Sequence, residues 1–241
     1  MLAVKSCIGL IRLSVAVLLA SPQGSKGETG QFAEEMIQEL HRMEKRTTVI
    51  NTSELSFGAC VGCLSCERED DCIDHDDVQK FQEQLLSAQG LIVASPVYLM
   101  GPPGRLKCLL DRLWAWALRP RLFDKYAGVL VVSGSYGALD VAAYLTAVLE
   151  SFGMQVIDSV AGSLMTPSRV EVRKRMLVEA RLLSRRIAEA IGTPKRFPLS
   201  PGGKALITHI WELIRDNKET FARSYSYWRE NGIAKKFGIP G

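Results

Sequence analysis

Ser14-Val15-Ala16-Val17-Leu18-Leu19-Ala20 runs into Ser21-Pro22-Gln23-Gly24-Ser25-Lys26-Gly27-Glu28-Thr29-Gly30, and a helical pattern follows. The apolar run does not alternate, as expected of a parallel strand covered on both faces. The loop after it is made of small, hydroxylated and glycine residues and opens a helix. Backbone N–H groups at such a helix start can surround a phosphate, hydroxyls add hydrogen bonds, and the helix dipole favours the negative charge. The glycine spacing is not G-x-G-x-x-G and the Gly-Lys-Ser/Thr ending is missing. Both absences argue against dinucleotide and triphosphate loops of those kinds. A monophosphate is the simpler guest, although any tight strand-to-helix turn uses similar residues.

The same strand–loop–helix unit repeats along the chain. Strands are expected at Ser14–Ala20, Thr47–Asn51, Gly90–Ser95, Gly128–Ser133 and Gln155–Gly162. Helical patterns lie between and after them at Glu28–Lys45, Asp76–Ala88, Gly104–Leu118, Leu139–Phe152 and Pro167–Ala190, with Asp76 or Asp77 capping the second. The alternation implies right-handed crossovers and a doubly wound α/β sheet. Two stretches break the rhythm. Residues 53–75 are a non-periodic insertion after the second strand. Residues 192–241 follow the last helix of a domain spanning 1–191 and form a helical extension. That extension carries Trp211, Phe221, Tyr225, Tyr227 and Trp228, and must cover either its own domain or a partner subunit.

The chain has 241 residues, 47% of them hydrophobic and 23% charged, with a formal net charge of +4. This apolar fraction and periodicity exclude disorder over most of the chain. The positive excess is small and lies on helix-like faces, so no nucleic-acid partner is expected. No apolar stretch approaches the roughly 20 residues that span a bilayer, so no membrane partner is expected either. Lys5 and Arg12 ahead of Val15–Ala20 look somewhat like a signal peptide. The six-residue run is short for one, and a buried first strand accounts for the same residues. A cytoplasmic protein is expected.

The third strand ends in Ser95-Pro96-Val97-Tyr98-Leu99-Met100-Gly101-Pro102-Pro103-Gly104 and the fourth in Ser133-Gly134-Ser135-Tyr136-Gly137. In a doubly wound sheet the ligand sits beyond the carboxyl ends of the strands, where the strand order reverses. The first, third and fourth strands deliver loops there, with Pro and Gly for close approach to a flat ring and Tyr98 and Tyr136 for stacking. Each loop alone is an ordinary turn; three in register are harder to dismiss.

Ser-Pro-x-x-x-Gly-x-Thr after the first strand, Ser-Pro-Val-Tyr after the third and a Gly-rich loop after the fourth resemble the NAD(P)H-dependent FMN reductases of the flavodoxin-like fold. The resemblance spans about residues 14–190 and implies a five-stranded sheet of order 2-1-3-4-5. It also implies that Ser21, Gln23, Ser25, Gly27, Glu28 and Thr29 line the FMN phosphate. Pro96, Val97, Tyr98, Leu99 and Met100 border the isoalloxazine, with Ser133, Gly134, Ser135, Tyr136 and Gly137 on its other edge. The family's loop often carries Asn before the Thr, where this chain has Glu28. A carboxylate beside a phosphate is unfavourable unless it points away. No separate catalytic side chains are expected, because the flavin carries the chemistry.

Four of the six cysteines form Cys60-x-x-Cys63-x-x-Cys66-x5-Cys72. Four thiolates on a compact loop suit an iron–sulfur cluster, with two-residue spacings wrapping one corner. A zinc site more often shows two separated Cys-x-x-Cys knuckles, and free or redox-active thiols are the third reading. The run is similar to that of the iron–sulfur flavoproteins, a subgroup of the same family, which implies a [4Fe-4S] cluster held by Cys60, Cys63, Cys66 and Cys72. Glu67, Glu69, Asp70 and Asp71 are expected to form a solvated turn. His41, His75 and His209 show no ligand spacing, and Cys108 is read as a small core residue.

The resemblance implies electron transfer between a reduced nicotinamide or ferredoxin and an acceptor, through FMN and the cluster, in a homodimer or homotetramer. The aromatic tail is a candidate subunit contact. Two alternatives stand beside it. One is an NAD(P)H-dependent FMN or quinone reductase without a cluster; the other is a non-enzymatic FMN-binding electron carrier.

Overall fold

The computed structural model describes residues 14–240. Lys5, Arg12 and Cys7, and with them the leader-like reading and the start of the 1–191 domain, lie outside the described residues. Strands β1 (Ser14–Leu19), β2 (Arg46–Asn51), β3 (Gly90–Pro96), β4 (Tyr126–Ser133) and β5 (Gln155–Ser163) form one sheet of order β2-β1-β3-β4-β5. All neighbours are parallel, with Val17 beside Ile92 and Ala94 beside Leu130 in the centre. This is the flavodoxin-like order expected.

On one face lie α1 (Glu28–Arg42) and α7 (Arg169–Gly192). They bury Phe32, Met36, Met176 and Ile187 against Val15, Val17, Ile92 and Leu130. Gly128 makes this fit close: a Cβ there would stand 2.8 Å from Ile187. On the other face α3 (Asp77–Ser87), α4 (Gly104–Arg112), α5 (Trp114–Leu118) and α6 (Ala138–Ser151) follow α2 (Ser65–Arg68) in the chain. Phe81, Leu106, Leu109, Leu145 and Trp116 fill the core against Ala16, Leu18, Leu91 and Val129. Each such large side chain contributes about 1.5–3 kcal/mol on burial.

Several expectations change. Uniform burial holds for β1, β3 and β4, whereas β2 and β5 are the sheet edges; Val49 and Asp158 are exposed there. The first helix stops at Arg42, because the chain reverses through Glu44 at a left-handed φ of 56°. The stretch 104–118 is two helices, not one. At Leu113 the chain tightens, with Leu113 N–H bonding Leu110 and Trp116 N–H bonding the Leu113 carbonyl. Apolar periodicity runs through that break undisturbed. Asp76, of the two candidates, caps α3 in a reciprocal capping box with Gln79.

The tail is three helices, α8 (Pro201–Asp216), α9 (Ala222–Glu230) and α10 (Ile233–Phe237). They close over Leu118 to make a third apolar cluster centred on Trp211, Trp228, Ile214 and Ile233. Trp211 stacks on Trp228 at 5.1 Å, and Trp228 Nε1 donates to the Leu118 carbonyl at 2.6 Å. The tail therefore covers its own domain, and its two tryptophans are buried within the chain instead of offered to a partner. Among the described residues no helix is long and apolar enough to cross a membrane.

Candidate functional site

Beyond β1 the backbone makes a single tight turn at Gly24–Lys26 and enters α1 at Gly27 with no side chain capping it. The first-turn N–H groups of such a helix have no intrahelical acceptor and can meet an anion. Gly30 fits this turn only as glycine: a Cβ would lie 2.2 Å from the Gly24 carbonyl oxygen. Ser21 is buried beneath the turn and accepts from Gln23 N–H at 3.3 Å.

The loop after β3 closes on itself. Tyr98 and Gly101 exchange backbone hydrogen bonds of 2.8 and 3.0 Å, and Leu99 and Met100 between them both take left-handed φ, 44° and 66°. Two consecutive non-glycine residues there hold strain of the kind stored at functional loops. After β4, Ser133 Oγ pairs with Ser163 Oγ at 2.6 Å, and Met165 N–H donates to the Gly134 carbonyl at 2.6 Å.

These loops surround a cavity of about 440 Å³, the size class of a small-molecule or cofactor site. Of the residues that the resemblance assigns to FMN, Ser21, Gln23, Gly27, Glu28, Thr29, Pro96, Val97, Tyr98, Ser133 and Gly134 line it. Ser25 stands outside its lining on the exposed turn, while Leu99, Met100, Ser135 and Tyr136 are exposed around it. Gly137 lies below Met100, whose sulfur would be 3.2 Å from a Cβ there. Sequence reading missed Val132, Leu164, Met165 and Arg169, which also line the cavity. Arg169 resolves the difficulty over Glu28. It pairs with that carboxylate at 2.6 Å, and Arg173 pairs with its other oxygen. The only sequence signal for either arginine was a basic helix face that reads equally well as solvated.

The cysteine loop is a second site. Cys60, Cys63, Cys66 and Cys72 line one small cavity with Arg112 and Trp114, although they come from different turns of the loop. Gly62, Leu64 and Asp70 bend it through left-handed φ. Cys60 and Cys63 are exposed, and Cys66 and Cys72 half-buried. Burial pushes the Cys66 thiol up, Arg119 pulls it down, and the other three thiols push it up further. Among the described residues no group of three or more His, Cys, Asp or Glu is gathered tightly enough to hold a single metal ion. A four-sulfur donor set around one cavity fits a polynuclear cluster in kind.

Two expectations about this loop are corrected. Glu67 is buried, not solvated, because Arg119 and Ser224 of α9 enclose its carboxylate, with Ser224 N–H donating at 3.0 Å. Asp70 pairs with Arg119 at 3.0 Å and Arg121 at 2.8 Å, which hold its carboxyl below its ordinary value against the opposing pull of burial. Glu69 and Asp71 are exposed as expected, His75 is exposed just ahead of α3, and Cys108, expected in the core, is only half-buried.

The sequence matches the NADPH-dependent FMN reductase profile over residues 13–165. The chain belongs to that family. Membership of that family makes this chain an oxidoreductase. It is 27% identical over 217 residues to an iron-sulfur flavoprotein of Archaeoglobus fulgidus, covering 90% of this chain and 97% of the relative. An iron-sulfur flavoprotein of Methanosarcina thermophila is 36% identical over 95 residues, 38% of this chain and 48% of the relative. Among solved structures a flavone reductase superposes with a TM-score of 0.64 at 14% identity, over 95% of this chain and 99% of the other; that likeness bears on fold alone.

Proposed function

We propose that this protein is a two-centre electron-transfer protein, in which Cys60, Cys63, Cys66 and Cys72 hold a [4Fe-4S] cluster. The observation that carries the reading is the convergence of all four cysteines on one cavity in a chain whose family binds FMN. The iron-sulfur names of its relatives support it. When bound, FMN supplies two-electron and one-electron chemistry, and a cluster passes single electrons.

The protein's own part is binding and screening. The uncapped start of α1 with Thr29 takes the phosphate, and Arg169 and Arg173 neutralise Glu28 beside it. Tyr98, Val97 and Gly134 flank the ring, and the cavity, with exposed Tyr98 and Gly134 at its lining, admits a reduced nicotinamide or another small donor or acceptor. The flavin cavity and the cysteine cavity share no lining residue. This favours passage of electrons between the cluster of one subunit and the flavin of another, in a homodimer or homotetramer, or to a ferredoxin. Leu99, Met165 and Leu139 at the flavin side and Val61 at the cysteine side are each more than 70% exposed, which suits such association.

The test is iron, sulfide, zinc and flavin per chain in protein purified without oxygen. About four irons, four sulfides and one FMN are expected. FMN without iron would leave a cluster-free FMN or quinone reductase, and a protein without flavin would sink the reading.

A further inference from the structure

Two buried arginines grip the cysteine loop and the segments flanking it, and each uses four of its five N–H bonds to do so. Arg112 donates to both oxygens of Asp76 at 2.7 and 3.2 Å, and to the Gly58 and Asp74 carbonyls at 3.2 and 3.0 Å. Arg119 donates to Glu67, to Ser224 Oγ at 2.8 Å, to the Cys66 carbonyl and to Asp70 at 3.0 Å. In both residues the fifth donor, Nε–H, is buried and has no acceptor among the described residues. A buried donor left unpaired is costly, more so on a charged group, and buried polar groups are as a rule paired. Two arginines that hold different stretches of one loop share the same single unmet atom.

Oxygens of the loop and its neighbours occupy the terminal nitrogens of both, and the loop also carries four sulfurs. Arg112 lines the cavity on which the four cysteines converge, and Arg119 bonds the backbone of Cys66. We propose that Arg112 and Arg119 are positioning residues for the sulfur ligands. Their Nε–H groups donate to the sulfur set, Arg112 on the Cys72 side and Arg119 on the Cys66 side, and their charges favour the reduced cluster. The inference rests on the cluster reading above.

One electron entering the cluster adds one negative charge beside two guanidiniums, and hydrogen bonds to sulfur and local charge are known determinants of cluster potential. Asp76, Asp74, Asp70, Glu67 and Arg121 offset one another and the guanidiniums within the loop. The unmet Nε–H groups are therefore the part of the arginines left to meet sulfur.

The test is an EPR-monitored reductive titration with dithionite of the anaerobic holoprotein, wild type against Arg112→Lys, Arg112→Gln and Arg119→Lys. Iron is counted in each, and the flavin midpoint serves as an internal reference. Arg112→Gln, losing both donor and charge, is expected to lower the reduced-to-oxidised ratio at fixed potential about tenfold, which is about 59 mV for one electron. The lysine variants should shift it less, and the flavin midpoint should not move. Variants that keep four irons and titrate as wild type overturn the proposal. Should every variant lose its iron, pulsed EPR of wild-type protein labelled with 15N-arginine decides: hyperfine coupling of arginine nitrogen to the reduced cluster supports it, and none overturns it. A wild type that binds FMN but no iron overturns the cluster reading itself, and metal analysis shows that before any variant is made.

Discussion

At the scale of single residues, Glu28 is the departure that most affects flavin binding. Its neighbours Arg169 and Arg173 lie 141 and 145 positions away in the chain, and without them a carboxylate at this cavity would repel a phosphate. Glu28→Gln removes the negative charge and leaves both arginines free to face the ligand, so FMN should bind more tightly. Arg169→Ala should weaken it by about tenfold or more, since a charge-assisted hydrogen bond is worth about 1.5–3 kcal/mol. Flavin fluorescence titration of the two variants reads opposite signs if this balance is correct. Glu150 offers a second residue-level test. It is buried at the end of α6, accepting from Ser200 N–H at 2.8 Å and Ser200 Oγ at 2.6 Å, and burial raises its pKa despite those bonds. A carboxyl with a raised folded pKa binds its proton more tightly in the native state. Its contribution is fullest at low pH and is lost as pH rises from the unfolded carboxylate range through the raised value. The Tm of Glu150→Gln minus that of wild type should therefore grow more positive from acid to neutral pH, and a pH-independent difference would contradict the assignment.

At the scale of elements, the cysteine loop is held less by itself than by helices distant in sequence. α4 and α5 supply Arg112 at the end of the first helix and Arg119 just past the second, and the break at Leu113 separates them. α9 then closes on the loop through Ser224, while Arg105 of α4 anchors the loop's start at the Thr52 and Leu55 carbonyls. The tail thus acts as a brace, seated on Leu118 by Trp228 and on the loop by Ser224. Glu67 is where brace and loop meet. Glu67→Gln leaves the buried Arg119 charge paired only with the more exposed Asp70, and breaking a buried pair in this way costs about 3–5 kcal/mol. A clear fall in Tm, with faster proteolysis within residues 53–75, is the expected result. A melt and a cleavage pattern like those of wild type would mean the tail does not support the loop.

At the scale of the whole molecule, the strands and the helices between them were legible because they rest on local patterns, and the sheet order came with the family resemblance that the loop motifs carry. The apolar runs mark strands, and a loop of small residues marks the tight turn into the first helix. What was not legible depends on pairings across long separations. The burial of Glu67 needs Arg119 and Ser224, the tolerance of Glu28 needs α7, and the fold of the tail onto Leu118 rather than a partner needs the whole third core. An acidic turn and a basic helix face look alike whether solvated or paired. The tail's tryptophans being buried moves the search for a subunit contact elsewhere. Leu99 at 95% exposure, Met165 at 81%, Leu139 at 76% and Tyr136 at 61% crowd the loops around the flavin cavity, more large apolar surface in one place than single scattered side chains explain. If those loops meet another subunit, Leu99→Asp should shift the light-scattering mass toward monomer at a given concentration. Leu99 stands at the tip of its turn, outside the cavity lining, so FMN affinity of the separated monomer should fall little. Electron transfer from flavin to cluster should slow with dilution in this variant. A wild-type protein that stays monomeric at high concentration would instead require both centres to exchange electrons with an external carrier, and the exposed rim would then be that carrier's docking face.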